Sequence, residues 1–395
     1  MCSARTSVLV VTGPGERPEG CHDATQRHAD LLGLHLVWQD LAAEDELVGA
    51  IQSFEAEHDV LVLASGDLAD SRPVAEAVGT ARRPVVHVDV EVVDHLDIVH
   101  RACDHMIHGR HRRSFHGALD WFSSRHDHAP ETIPYGSGPD QVGDLRLPSS
   151  TGAAPIVVLL HGGFWLDPYE RDLMGPLAVS LTRDGWATWN VEYRRTGPSG
   201  GGWPATVEDA CAAVDAVARL ADRFPIDRDR MVLLGHSAGA QLAVYATARA
   251  TGTGAAPGPP PRPRPAGLIS LAGVLDLQGA AAAGLGGGAV TTLFGSAEEH
   301  PERYHLASPI ERLPLGIPQL AVHGSDDHLV PVDQTHRYVE VARAAGDAVA
   351  TAYPTVHHLD IVAPTGESRE VVSAWLDRFA APQPSTYREN RGDRA

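Results

Sequence analysis

Two α/β domains in series, each built on a largely parallel sheet, are predicted by three observations. Short apolar runs alternate with helix-like stretches along most of the chain, a rhythm that implies βαβ units. A polar segment rich in His, Pro and Gly, 123–140, interrupts that rhythm once. The length of 395 residues is long for a single domain. The expected division is a first domain over 1–124, a linker at 125–133, a second domain over 134–381 and a disordered tail at 382–395.

In the first domain, strands are expected at Ser7–Val11, Leu34–Trp38, Val60–Leu63, Val85–Val88 and Met106–His108. Helices are expected between them at His22–Leu32, Ala43–Glu57 and Pro73–Thr80, with Ser114–Phe122 closing the domain. The opening residues Met1–Thr6 lead straight into the Ser7–Val11 run, which is too short for a signal peptide and lacks a small-residue cleavage site. A first strand and a cytoplasmic protein are therefore expected. The second domain opens with an edge hairpin including Gln141–Leu147, then strand Pro155–Leu160, helix Arg171–Asp184, strand Ala187–Tyr193 and helix Ala205–Arg223. Strand Met231–Leu234 and a helix whose inner face is Gln241–Ala246 follow. The series ends with strands Gly267–Leu271 and Gln319–Val322, helix Val332–Ala345, strand Ala348–Tyr353 and helix Ser368–Phe379. Thr251–Ala266 is too rich in Pro and Gly to join a core and is expected as a surface excursion. Gly279–Gly288 reads as a small-residue insertion at the edge of the site, either part of a lid or slack.

Composition excludes several chemistries. A formal net charge of −19 argues against nucleic acid and anionic membrane as partners. All 32 basic residues are arginine, so Schiff-base, P-loop and Ser-Lys mechanisms lack their reagent. Cys2, Cys21, Cys103 and Cys211 are scattered, with neither a disulfide framework nor zinc-ligand spacing. His105, His108, His111 and His116 cluster near the end of the first domain, but they straddle a strand, a turn and a helix start and are not expected to share a metal. No cofactor is called for.

Gly235-His236-Ser237-Ala238-Gly239 stands between a buried strand and a helix, so its G-x-S-x-G pattern reads as a tight turn that lifts the Ser237 hydroxyl clear of the sheet. A serine alone is a poor nucleophile, so a base, an orienting acid and an oxyanion hole must be found elsewhere. His161-Gly162-Gly163-Phe164-Trp165 follows an apolar strand directly, and the amides of Gly163 and Phe164, with that of Ala238, are the expected oxyanion donors. Asp327 in His323–Pro331 is chosen as the acid over Asp326, which reads as a solvated turn residue. Either His357 or His358 could supply the base; the order Ser237, Asp327, His358 fits a serine hydrolase. Trp165 is expected either to wall a substrate pocket or to be a buried packing aromatic.

Over about 130–381 these motifs, HGGFW at 161–165, GHSAG at 235–239, HGSDDHLVP at 323–331 and HHLD at 357–360, resemble the α/β-hydrolase superfamily, in its esterase and kynurenine formamidase branch. The resemblance implies oxyanion amides at Gly163 and Phe164 and aligns His358 with the catalytic histidine. Residues 5–122 resemble a type II 3-dehydroquinate dehydratase, a flavodoxin-like fold, through Val8–Pro14, Asp59–Leu63 and Arg83–Val88. That family's catalytic tyrosine has no counterpart, since no tyrosine precedes Tyr135, and Asp89 stands where the family has its histidine. Dehydratase activity is therefore expected to be absent, leaving a scaffold, an oligomerisation surface for a homo-oligomer, or a regulatory module. The resemblance implies a serine hydrolase of carboxylic esters or aryl formamides, with a short-acyl carboxylesterase as the near alternative. A non-enzymatic small-ligand receptor on the same fold is the alternative of another class.

Overall fold

The computed structural model describes residues 6–13, 21–64, 68, 71–88, 105–107, 114–126, 128–149, 152–252 and 264–380. The first domain comprises β1 (Ser7–Thr12), α1 (Cys21–Leu32), β2 (His35–Asp40), α2 (Glu44–Ser53), β3 (Val60–Ala64), α3 (Arg72–Gly79), β4 (Val85–Val88), β5 (His105–Ile107) and α4 (Ser114–His126). Its five strands run parallel in the order β2-β1-β3-β4-β5, the flavodoxin-like doubly wound order. Alternate residues of each strand face opposite layers. Val8, Val10, Val60 and Val62 pack with Ala29, Phe115 and Leu119 of α1 and α4, while Leu9, Val11, Leu61 and Leu63 pack with Leu47, Ile51, Val74 and Val78 of α2 and α3. Burial on both faces explains why these strands read as continuous apolar runs.

The second domain begins with β6 (Glu131–Pro134), β7 (Val142–Arg146), β8 (Ala154–Leu160), α5 (Gly175–Arg183), β9 (Ala187–Val191), α6 (Ala205–Ala221), β10 (Ile226–His236) and α7 (Ala238–Thr251). It continues through β11 (Gly267–Leu271), α8 (Leu277–Ala282), α9 (Leu285–Phe294), α10 (Pro301–Ala307), β12 (Gln319–Val322), α11 (Asp333–Ala344), β13 (Val349–Ala352) and α12 (Glu367–Ala380). Eight strands lie in the order β13-β12-β11-β10-β8-β9-β7-β6, parallel except where β7 joins β9 and β6. One face of β8 and β10 buries Ile156, Val158, Leu160 and Leu233 against α6 and α7. The other buries Val157, Leu159, Val232 and Leu234 against α5 and α12, including Leu177, Leu181 and Leu376.

Several boundaries differ from expectation. The linker is shorter than 125–133, because α4 continues to His126 and β6 already starts at Glu131. Segment Arg171–Asp184 opens with a 3-10 turn, Arg171–Met174, before α5. Strand β10 starts five residues before Met231, through the charged Asp227–Arg230, where its register on β8 shifts. The Gly279–Gly288 insertion is helical only at its start, in α8; Gly284 and Gly286 to Gly288 take left-handed backbone at the beginning of α9. The tail after 381, most of the Pro-rich excursion, Ser65, Gly66, Asp89, His108 and His111 lie outside the described residues.

The two domains meet where α4 crosses the start of α5. Gly175 permits the approach: a Cβ there would sit 2.6 Å from Ser124 Cβ. Arg146 of β7 donates from Nη2 to the Ser124 carbonyl (2.8 Å) and from Nε to the His128 carbonyl (3.0 Å), tying the end of α4 to the second sheet.

Candidate active site

Parallel strands leave their carboxyl ends on one edge, and the sequence-selected residues of the second domain gather there. Ser237 occupies the turn between β10 and α7 with φ 54° and ψ −117°, a left-handed conformation rare for any residue with a side chain. Its flanking glycines are required by close approach. A Cβ at Gly235 would stand 2.5 Å from Ala240 Cα, and one at Gly239 would stand 2.5 Å from the Leu160 carbonyl carbon. Backbone bonds fix the turn: Ser237 N–H donates to the Leu271 carbonyl (2.8 Å), and the Ser237 carbonyl accepts from Ala240 (3.0 Å) and Val274 (3.1 Å). The Ser237 Oγ is fully buried and makes no hydrogen bond.

Asp327 follows β12 and His358 follows β13. The structure joins them directly, with His358 Nδ1 donating to Asp327 Oδ2 at 2.6 Å. Asp327 Oδ1 accepts from the backbone N–H groups of Leu329 and Val330, both at 2.9 Å, and His323 Nε2 lies 3.3 Å from Oδ2. Burial pushes the Asp327 pKa up, but the His323 and His358 bonds outweigh it and hold the carboxyl far below its usual range. Asp327 is thus ionised, and its bond with Nδ1–H leaves Nε2 as the ring nitrogen of His358 not engaged by the carboxylate. Asp326 and His357 instead pair with each other at the exposed surface, where His357 Nδ1 donates to the Asp326 carbonyl at 3.0 Å.

The serine and the Asp327–His358 pair are coupled through His236, a residue that sequence reasoning did not single out. His236 Nε2 donates to the His358 carbonyl at 3.0 Å, and the two rings lie 4.8 Å apart. Burial, reinforced by His358, keeps the His236 pKa well below 6.5, so the ring is neutral. The histidine-bearing loop is fastened in this way to the strand end that carries Ser237.

The HGGFW loop passes beside the same turn. A Cβ on Gly162 would sit 2.6 Å from His236 Nδ1 and 3.0 Å from Ser237 Cβ. Gly163 has φ 110°, and a Cβ there would overlap the Tyr169 side chain. Phe164 and Trp165 also take positive φ, 52° and 58°. Ala238 is the first residue of α7, where the N–H has no intrahelical acceptor.

A buried charge network holds this loop. His161 Nε2 lies 2.9 Å from Glu192 Oε1, and the Tyr193 hydroxyl donates to the His161 carbonyl at 2.8 Å with the rings stacked at 4.2 Å. Glu192 also accepts from the backbone of Tyr193 (3.0 Å) and Arg171 (2.9 Å), and Arg195 Nε approaches to 3.7 Å. Burial opposes the Glu192 charge, but Arg195 and His161 more than compensate and push its pKa down. The available signal was the Glu-Tyr-Arg-Arg run at the end of an apolar strand.

Of the two places left open for Trp165, it takes the buried one. It is fully enclosed, donating from Nε1 to Gln241 Oε1 (3.2 Å) and standing edge-on to Phe294 at 5.8 Å. Among the described residues no His, Cys, Asp and Glu group suits a metal ion, and no helix is long and apolar enough to cross a membrane.

The family model BD-FAE matches residues 144–341. The chain belongs to the BD-FAE family. The BD-FAE match includes the HGGFW loop, Ser237 and Asp327, and ends before His358. Esterase LipC of Mycobacterium tuberculosis is 28% identical over 222 residues, 54% of each chain. Kynurenine formamidase of Danio rerio is 33% identical over 112 residues, 28% of this chain and 36% of its own. The chain spans about half the length of the first curated relatives it matches. Among solved structures, a truncated carbohydrate esterase from gut microbiota superposes with a TM-score of 0.55 at 18% identity, covering 63% of this chain and 95% of that one. That likeness establishes the α/β-hydrolase fold of the second domain.

Proposed function

We propose that this BD-FAE protein is a serine hydrolase of carboxylic esters or aryl formamides that works through an acyl-enzyme. Ser237 Oγ attacks the substrate carbonyl while His358 Nε2 takes its proton. Asp327 keeps the imidazole oriented and stabilises the imidazolium that forms. The developing oxyanion is received by the N–H groups of Gly163, Phe164 and Ala238. His358 then protonates the departing alkoxide or arylamine, and water repeats the sequence on the ester of Ser237. The observation that carries this reading is the 2.6 Å Asp327–His358 bond, anchored through His236 to a strained serine turn. The likeness to LipC favours esters, and that to the zebrafish formamidase favours aryl formamides. The first domain serves this reading as a non-catalytic module.

The test compares N-formylkynurenine with p-nitrophenyl acetate and butyrate, using wild type and Ser237→Ala. Formamide cleavage lost in the variant supports the formamidase form, and ester turnover alone supports the carboxylesterase. Turnover of none of the three, or turnover that survives Ser237→Ala, would contradict the proposal.

A further inference from the structure

His236 closes β10 one residue before Ser237, and it is wholly buried. Three parts of the site meet on it. It precedes the serine in the chain, its Nδ1 lies against Gly162 of the HGGFW loop, and its Nε2 donates to the His358 carbonyl at 3.0 Å.

The loop that carries His358 is otherwise tied to the loop that carries Asp327. Ser325 N–H donates to the Pro354 carbonyl (2.9 Å), His357 Nδ1 to the Asp326 carbonyl (3.0 Å) and His358 Nδ1 to Asp327 Oδ2 (2.6 Å). Those bonds fix the imidazole relative to β12, not relative to β10. Ser237 Oγ makes no hydrogen bond, so the reacting pair does not hold itself together. Among the described residues, the bond from His236 is the hydrogen bond that links the His358 loop to the strand bearing the serine.

His236 is not placed to carry a proton itself. Its Nε2 proton is committed to a carbonyl, and its Nδ1 is buried without a hydrogen-bond partner. Burial keeps the ring neutral, so no second positive charge stands beside His358, whose ring is 4.8 Å away.

We propose that His236 is a positioning residue: by holding the His358 carbonyl it sets where Nε2 of His358 stands relative to Ser237 Oγ. The inference rests on the hydrolase reading above, in which His358 takes the Ser237 proton. Misplacing a catalytic group by about 1 Å costs about 10²-fold in rate, which makes one such bond consequential.

The test is the rate at which a fluorophosphonate phosphonylates Ser237 in the full chain, which does not depend on the natural substrate. His236→Leu removes the donor and should lower the saturating rate about 10²-fold, with the half-saturating probe concentration changed by less than about threefold. His236→Asn, whose shorter amide stops short of the carbonyl, should fall with it. His236→Gln carries an amide N–H at the position of Nε2 and should recover to within about threefold of wild type. In His358→Ala, whose slow residual labelling is followed over hours, adding His236→Leu should change nothing further. With wild type labelled at Ser237, an undiminished rate in His236→Leu and His236→Asn, a His236→Gln as slow as they are, or a further loss in the double variant would overturn the proposal alone. A wild type not labelled at Ser237 would overturn the hydrolase reading, and this proposal with it.

Discussion

Asp327 and His358 are 31 positions apart in sequence and 2.6 Å apart in the fold, and that bond sets the protonation on which the proposed chemistry depends. Asp327→Asn retains the shape but removes the charge, and the amide can hold the imidazole in the wrong tautomer. A fall in kcat of about 10⁴ is expected, with the melting temperature measured alongside. The same buried carboxylates govern acid stability. Asp327 and Glu192 both titrate below their ordinary values, so their stabilisation is complete above pH about 5 and fades as pH falls through the unfolded pKa values near 4. Melting curves from pH 7 to 3 should show that loss, and Glu192→Gln should be less stable at pH 7 yet lose less on acidification. An acid limb equally steep in wild type and Glu192→Gln would contradict the assignment to Glu192. At this scale the motif residues were legible, because Gly235, Gly239, Gly162 and Gly163 are demanded by local geometry. His236 was not, since a buried histidine has no sequence signature apart from the partners that enclose it, and Glu192 offered only the Glu-Tyr-Arg-Arg run at a strand end.

The HGGFW loop behaves as a unit, with positive φ at Gly163, Phe164 and Trp165 and its base anchored by His161 to Glu192. Gly163→Ala forces a Cβ into Tyr169 at a φ of 110° and should shift the loop while leaving the sheet intact. Loss of one oxyanion donor costs about 2.7–4 kcal/mol, so kcat should fall about 10²–10³-fold, with KM changed far less. Unaltered kcat in this variant would remove Gly163 from the site. Elements with continuous apolar runs, such as Val8–Val11 and Ile156–Leu160, were plain in the sequence because both of their faces are buried. The start of β10 was hidden because Asp227–Arg230 pairs at a sheet end where Arg230 reaches Asp227 and the Ala153 carbonyl. The helices α8 and α9 were hidden for another reason: Ala and Gly supply little periodic contrast, and Gly286 to Gly288 take left-handed φ inside α9.

At the scale of the whole molecule, the two sheets are joined by backbone approach as much as by side chains. The contact of Gly175 with Ser124 leaves no room for a larger residue. Gly175→Leu should therefore drive α4 from α5 and destabilise the protein by about 1–3 kcal/mol, visible as a lower urea midpoint and faster proteolysis around 126–131. An unchanged midpoint would show that the domains are not held together at this crossing. The existence of two α/β domains was legible in the alternation of runs and the polar break after the first, but their mutual placement was not. It depends on a glycine, a serine and an arginine that carry no pattern of their own.

The central claim is that Ser237 is a nucleophile activated by His358 and Asp327. Its most direct test is labelling of the native protein with a fluorophosphonate, followed by peptide mass spectrometry, in wild type and in His358→Ala. The account predicts phosphonylation at Ser237 in wild type and its near-complete loss in His358→Ala. Labelling at another residue, labelling that persists without His358, or no labelling of the folded wild type would contradict it.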